Sequence, residues 1–218
     1  MKKFLTLFLA LAGLSALGYA QESDDWTTQV TFYSPSIVRI YKTGPDNPDT
    51  KQSLSVTMNP EQVKTTVTTA KDGTILYKSS ALTVKVDDND VTFMDSKGKV
   101  LLAENGFGHG NVAMTRPEYA DIAVDQGFDL DADEPLYGIG IQQDGKMAKS
   151  GTYRRMIQGN TDDYCNIIQS IKGYGLFWDN YSPTTLGIEE GKFYFTSENA
   201  GCVDYYFIWG GDADGVIA

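Results

Sequence analysis

Along the chain, apolar residues recur at every second position far more often than at helical spacing. Period-two runs occupy Val30 to Tyr33 and Ile37 to Tyr41, around Ser34-Pro35. Such alternation places successive side chains on opposite faces of a strand. Thr43 to Thr50 is a polar connection rich in Gly, Pro, Asp and Asn. Val63, Thr65, Val67 and Thr69 then alternate with Lys64, Thr66 and Thr68, a β-branched stretch that suits a strand. Asp72-Gly73 is a hairpin signal leading into Thr74 to Lys78. Leu82, Val84 and Val86 alternate with Thr83, Lys85 and Asp87. Asp88-Asn89 turns the chain back through Val91 and Phe93, and Ser96-Lys97-Gly98-Lys99 turns it again into Val100 to Leu102. These segments predict an antiparallel meander with one wet face.

From Glu104 to Pro117 the pattern fades. Gly106, Gly108 and Gly110 punctuate what reads as a loop around Phe107 and His109. Strands are predicted again at Ile122 to Phe128, Leu136 to Gln142, Leu186 to Ile188, Phe193 to Thr196 and Val203 to Trp209. Between them lies the most informative stretch, Ser170 to Pro183. It reads as a strand, a tight turn at Lys172-Gly173, and a second strand loaded with rings. Tyr174, Leu176 and Trp178 fall on one face; Gly175, Phe177 and Asp179 fall on the other. Gly173 and Gly175 bracket Tyr174, which predicts a bend or a close backbone approach. No segment after the first twenty residues has a helical moment. Many short strands with frequent turns predict an all-β, antiparallel β-sandwich.

The first twenty residues read as a removable export signal. Lys2 and Lys3 precede an apolar run from Phe4 to Leu17, and Gly18-Tyr19-Ala20 places Gln21 at the new N-terminus. The expected location is periplasmic or secreted. The formal net charge is −11, and loss of Lys2 and Lys3 makes it two units more negative. That charge disfavours nucleic acid and anionic membrane surfaces as partners, and leaves neutral sugars unpenalised. In an exported chain Cys165 and Cys202 read equally as a disulfide or as two buried free thiols. Two Cys and one His without ligand spacing make no zinc set, and no cofactor motif is present.

The segment Tyr153 to Asn166 reads as a polar loop between firm strand signals. Gln158, Asn160, Thr161, Asp162 and Asp163 offer the donors and acceptors that sugar hydroxyls need. Tyr153 and Tyr164 offer ring faces. The plain alternative is a solvated turn with an Asx-type cap. Arg154 and Arg155 read as surface ion-pair partners for Asp162 and Asp163. His109, alone in a Gly-rich loop with no second His or orienting acid in sequence, reads as structural or exposed rather than as a general base. Trp178 and Trp209 read as core, and Trp26 as a docking residue for the chain start. No catalytic residue is assigned.

Leu136-Tyr137-Gly138-Ile139-Gly140, the polar loop after it, and Gly173-Tyr174-Gly175-Leu176-Phe177-Trp178-Asp179-Asn180 together resemble the N-terminal domain of glycoside hydrolase family 31. Those enzymes are α-glucosidases, α-xylosidases and their relatives. Many members carry Leu and a Glu where this chain has Ile139 and Ile141-Gln142. The resemblance implies a galactose-mutarotase-like sandwich over residues 21–209. It also implies that residues 210–218 begin the connection to a catalytic (β/α)8 barrel beyond Ala218. The loop would reach a sugar subsite, with Asn160, Asp162 and Asp163 as the substrate-binding residues and an α-linked glucoside or xyloside as partner. The family's catalytic Asp pair lies on the barrel, so this segment alone is expected to be inactive. Two other readings are a stand-alone carbohydrate-binding module and an aldose mutarotase. The second normally uses paired His residues, and this chain has one His.

Overall fold

In the computed structural model of this chain, the described residues are 26–44, 51–111 and 122–218. The expected export signal and its cleavage point at Gln21 lie outside them. The strands in chain order are β1 (Thr27–Ser34), β2 (Ile37–Thr43), β3 (Thr66–Thr69), β4 (Ile75–Lys78), β5 (Leu82–Asp87), β6 (Asp90–Asp95), β7 (Val100–Asn111) and β8 (Ile122–Asp129). They continue as β9 (Leu136–Gly138), β10 (Tyr153–Met156), β11 (Ile167–Ser170), β12 (Tyr174–Trp178), β13 (Thr184–Glu189), β14 (Lys192–Ser197) and β15 (Cys202–Trp209). One short helix follows, α1 (Ala213–Ile217), capped by Asp212.

The strands form two antiparallel sheets, as the alternation predicts. One has the order β1-β2-β15-β12-β11-β9; the other runs β10-β13-β14-β8-β7-β6-β5-β4-β3. Consecutive pairing from β3 to β7 is the expected meander, and β5 alternates buried and half-exposed positions. Rings lock the sheets face to face. Phe93 of β6 stacks on Phe207 of β15 at 4.1 Å, and Trp178 of β12 stacks on Phe195 of β14 at 5.1 Å. Tyr174, Leu176 and Trp178 are fully buried, the face their spacing assigns. Trp26 is buried against Phe107 and His109.

Strand β15 is buried on both faces. Its outer face carries Asp204, which accepts two hydrogen bonds from Arg39 at 2.8 and 2.7 Å. The segment that follows the polar connection lies across this face. Arg39 donates to the Lys51 carbonyl, and the Lys51 amide donates to the Tyr41 hydroxyl.

Three expectations are corrected. Residues 104–111 are strand, not loop. A bulge between Glu104 and Phe107 interrupts the pairing of β7 with β8, and the glycines punctuate that strand. Gly127 faces the bulge because a Cβ there would lie 2.1 Å from the Asn105 carbonyl oxygen. Conversely, the strand expected over Leu136 to Gln142 stops at Gly138. Gly138, Ile139 and Gly140 all have positive φ, which ends the extended run. Finally, Tyr153–Met156 is an edge strand paired with β13, hidden from periodicity by its two arginines. The bend at Gly173 is present, with φ of 89°. A Cβ there would lie 2.3 Å from the Gly211 carbonyl carbon.

Candidate functional site

The polar loop spans residues 157–166, between β10 and β11. It is tied across its neck by one side chain. Gln158 donates from Nε2 to the Tyr164 carbonyl at 2.9 Å and accepts the Tyr164 amide at 2.8 Å. The Gly159 amide donates to the Asp162 carbonyl. The Tyr164 hydroxyl donates to Asp162 Oδ2 at 3.2 Å. Burial and the Asp162 carboxylate raise the Tyr164 pKa, so this phenol stays a donor. Asn160 and Asp163 are exposed, and Asp162 is half-buried. The three predicted substrate-binding residues therefore share one turn.

The strap after β9 fixes where that turn stands. Ile141 and Asp163 exchange both backbone hydrogen bonds, at 2.7 and 2.9 Å. A Cβ on Gly140 would lie 2.1 Å from the Asp163 carbonyl oxygen, so glycine is what lets the two backbones meet. Gln142 donates to the Ile139 carbonyl and holds the strap's own turn. At the loop's far end, the Asn166 carbonyl accepts the Trp178 amide at 2.8 Å, and Asn166 Nδ2 donates to the Asn180 carbonyl at 2.9 Å. The loop thus rests on the ring-rich hairpin.

The arginines do not neutralise this turn. Arg154 pairs with Asp144 at 3.6 Å, and Arg155 forks onto Glu198. The expected pairs with Asp162 and Asp163 are absent among the described residues. As neighbours in β10, Arg154 and Arg155 point to opposite faces of the sheet, and each meets another acid there, Asp144 and Glu198. Tyr153 is exposed and Tyr164 half-buried, so both present ring area near the loop. The two thiols are free, Cys165 exposed and Cys202 buried. Among the described residues no group of His, Cys, Asp and Glu is arranged to hold a metal ion. His109 is half-buried and stacks on Trp26 at 4.9 Å.

Beneath the loop lies a cavity of about 430 Å³. Tyr164, Cys165, Asn166, Phe177, Asp179 and Tyr181 are among its walls. Asp179 is the residue that sequence reasoning passed over. It is fully buried, and neither carboxylate oxygen has a hydrogen-bond donor. The alternation Phe177, Asp179 assigns its face, but nothing in the sequence shows that donors are missing.

The model of the glycosyl hydrolase 31 N-terminal galactose mutarotase-like domain matches residues 27–186. The chain belongs to this family. An α-xylosidase of Saccharolobus solfataricus is 28% identical over 203 aligned positions, which cover 87% of this chain and 27% of that protein. Among solved structures, a GH31 α-xylosidase from a soil metagenome, complexed with xylose, superposes with a TM-score of 0.72 at 17% identity. That match covers 87% of this chain and 31% of the other. A GH31 dextranase of Flavobacterium johnsoniae, complexed with isomaltotriose, also gives 0.72, at 20% identity over 89% of this chain and 25% of the other. A GH31 α-xylosidase of Xanthomonas citri gives 0.67 at 26% identity, over 77% of this chain and 20% of the other. The chain therefore spans about a quarter of the length of the curated α-xylosidase above.

Proposed function

We propose that this domain is the sugar-contacting N-terminal sandwich of an α-glycosidase. In this reading it packs against a catalytic barrel and lends the crest of loop 157–166 to a subsite for an α-linked glucoside or xyloside. One observation carries the reading: Asn160, Asp162 and Asp163 stand together on a turn braced from both sides, with no cation spent on their carboxylates. A braced turn has already lost backbone conformational entropy before a ligand arrives, so its polar groups bind at a lower ordering cost. Carboxylates free of basic partners accept hydrogen bonds from neutral hydroxyls, and such charge-assisted bonds are the stronger kind. The names of its relatives supply the substrate class, since they include α-xylosidases and a structure holding isomaltotriose. The N-terminal export signal and a periplasmic or secreted location belong to the same proposal.

The test uses the longer protein of which this domain would be the first part. Asp162→Ala and Asp163→Ala should each lower kcat/KM for aryl α-xylosides or α-glucosides by up to about 3 kcal/mol of transition-state binding, roughly one hydrogen bond to a charge. Unchanged kinetics in both variants would leave the turn as plain solvated surface.

A further inference from the structure

Asp179 is a buried carboxylate with charge compensation but no donors. Its charge and that of Asp204 are matched by two cations. Arg39 forks onto Asp204, and Lys51 Nζ lies 3.3 Å from Asp204 Oδ2 and 3.8 Å from Asp179 Oδ1. Lys51 Nζ donates to the backbone carbonyl oxygen of Asp179, not to its carboxylate. A further metal ion would overcharge this balanced cluster. What the carboxylate lacks is hydrogen-bond donation, and an unmet buried acceptor is costly.

We infer that the cavity under the loop is a second subsite for a neutral polyol, a pyranose ring, with Asp179 as its hydroxyl acceptor. The volume of about 430 Å³ falls within the range of small-molecule sites. Phe177 is half-buried, and Tyr181 is half exposed with Lys51 Nζ 4.7 Å from its ring centroid. These rings offer apolar faces for the C–H side of a sugar. Vicinal hydroxyls match the two oxygens of one carboxylate. The carboxylate oxygens are closed to solvent, so a ligand reaches them only when a wall of the cavity moves, and the wall at Ser55 is an exposed one. That exposed residue lines the cavity. Next to it, the Leu54 amide is held by the Tyr181 hydroxyl. That the polyol is a sugar rests on the proposed function; that it carries hydroxyls does not.

Cys165 is a built-in reporter, since it lines this cavity and is exposed, whereas Cys202 is buried. The full chain is titrated with methyl α-xyloside and methyl α-glucoside while iodoacetamide alkylation of each thiol is followed by mass spectrometry. A sugar in the cavity slows Cys165 alkylation about tenfold at ten times its Kd and leaves Cys202 unchanged. Asp179→Asn weakens that protection by about tenfold or more, the scale of a hydrogen bond to a charge. Ser55→Trp, which fills the mouth, abolishes it and serves alone if the first variant does not fold. The loop reading is tested separately, by the kinetics of Asp162→Ala and Asp163→Ala in the longer protein, so its failure and the failure of this one are distinguishable. No protection in the wild type, or protection unchanged in Ser55→Trp, overturns the inference and leaves an ordered water as the occupant.

Discussion

Lys42 Nζ and Glu104 Oε2 stand 2.6 Å apart with both side chains fully buried. They join β2 of one sheet to β7 of the other. Glu104 also accepts the Tyr205 hydroxyl at 2.7 Å and the Val91 amide at 2.6 Å. Lys42 donates to Gln126 at 2.9 Å, and Gln126 in turn donates to the Gly106 and Gly127 carbonyls. The β7 bulge is therefore stitched to the opposite sheet by one satisfied network. Buried charges survive only when paired and hydrogen-bonded in this way.

Breaking this pair on one side should be far worse than removing both sides. Glu104→Leu or Lys42→Met alone leaves a buried, uncompensated charge and should cost about 3–5 kcal/mol. The double variant has no such charge, so its loss should fall well short of the two single losses added together. Urea denaturation midpoints measure this. Strict additivity would mean that the two groups are not energetically coupled.

A second prediction concerns the hairpin turn and the chain end. The Gly173 carbonyl accepts the amides of both Gly210 and Gly211. Gly173 has φ of 89°, and a Cβ there would strike the Gly211 backbone; Gly191 has φ of 80° and open space around it. Alanine pays left-handed strain of about 1–2 kcal/mol at either site. Only Gly173→Ala must also push away the turn that leads into α1. It should destabilise clearly more than Gly191→Ala and loosen residues 210–218 in hydrogen exchange. Equal losses at the two sites would refute the close approach.

The thiols give a third. Burial pushes the Cys202 thiol up, so its thiolate is scarce near neutral pH. Cys165 is exposed. Native chain at pH 8 should take up one equivalent of iodoacetamide rapidly, at Cys165, and the second only on unfolding. Raising the pH should speed Cys202 only above the ordinary thiol range. Uptake of no equivalents without reductant would mean that the two cysteines are joined.

Period-two alternation made the sandwich legible, because a sheet with one wet face writes its burial into every second residue. It failed where other forces decide. Residues 104–111 read as loop because their glycines serve a bulge, and a bulge breaks alternation without ending the strand. Tyr153–Met156 carries Arg154 and Arg155 at an exposed edge, where no apolar face is needed. Asn160, Asp162 and Asp163 were legible as a polar turn. Asp179 was not, since its importance lies in the donors it lacks, and the charged groups that enclose it come from residues as distant in sequence as Lys51 and Asp204.

The last prediction is that residues 21–218 alone do not hydrolyse glycosides. A retaining glycosidase needs two carboxyl groups about 5 Å apart, one of them an acid of raised pKa. Around the loop the candidate carboxyl groups are differently placed. Asp162 accepts a phenol hydroxyl, Asp163 is exposed, and Asp179 is shut from solvent. The carboxyl groups that burial does push up serve elsewhere. Glu104 and Asp204 are held in ion pairs, and Asp125 stands on β8, which β14 and β13 separate from β10. A polar turn can orient a sugar, but orientation lowers a barrier only where a reacting group is present to use it. Purified segment incubated with aryl α-xylosides and α-glucosides should therefore match a buffer blank. Stereoretaining turnover that is lost in Asp162→Asn or Asp125→Asn would place an active site within this domain.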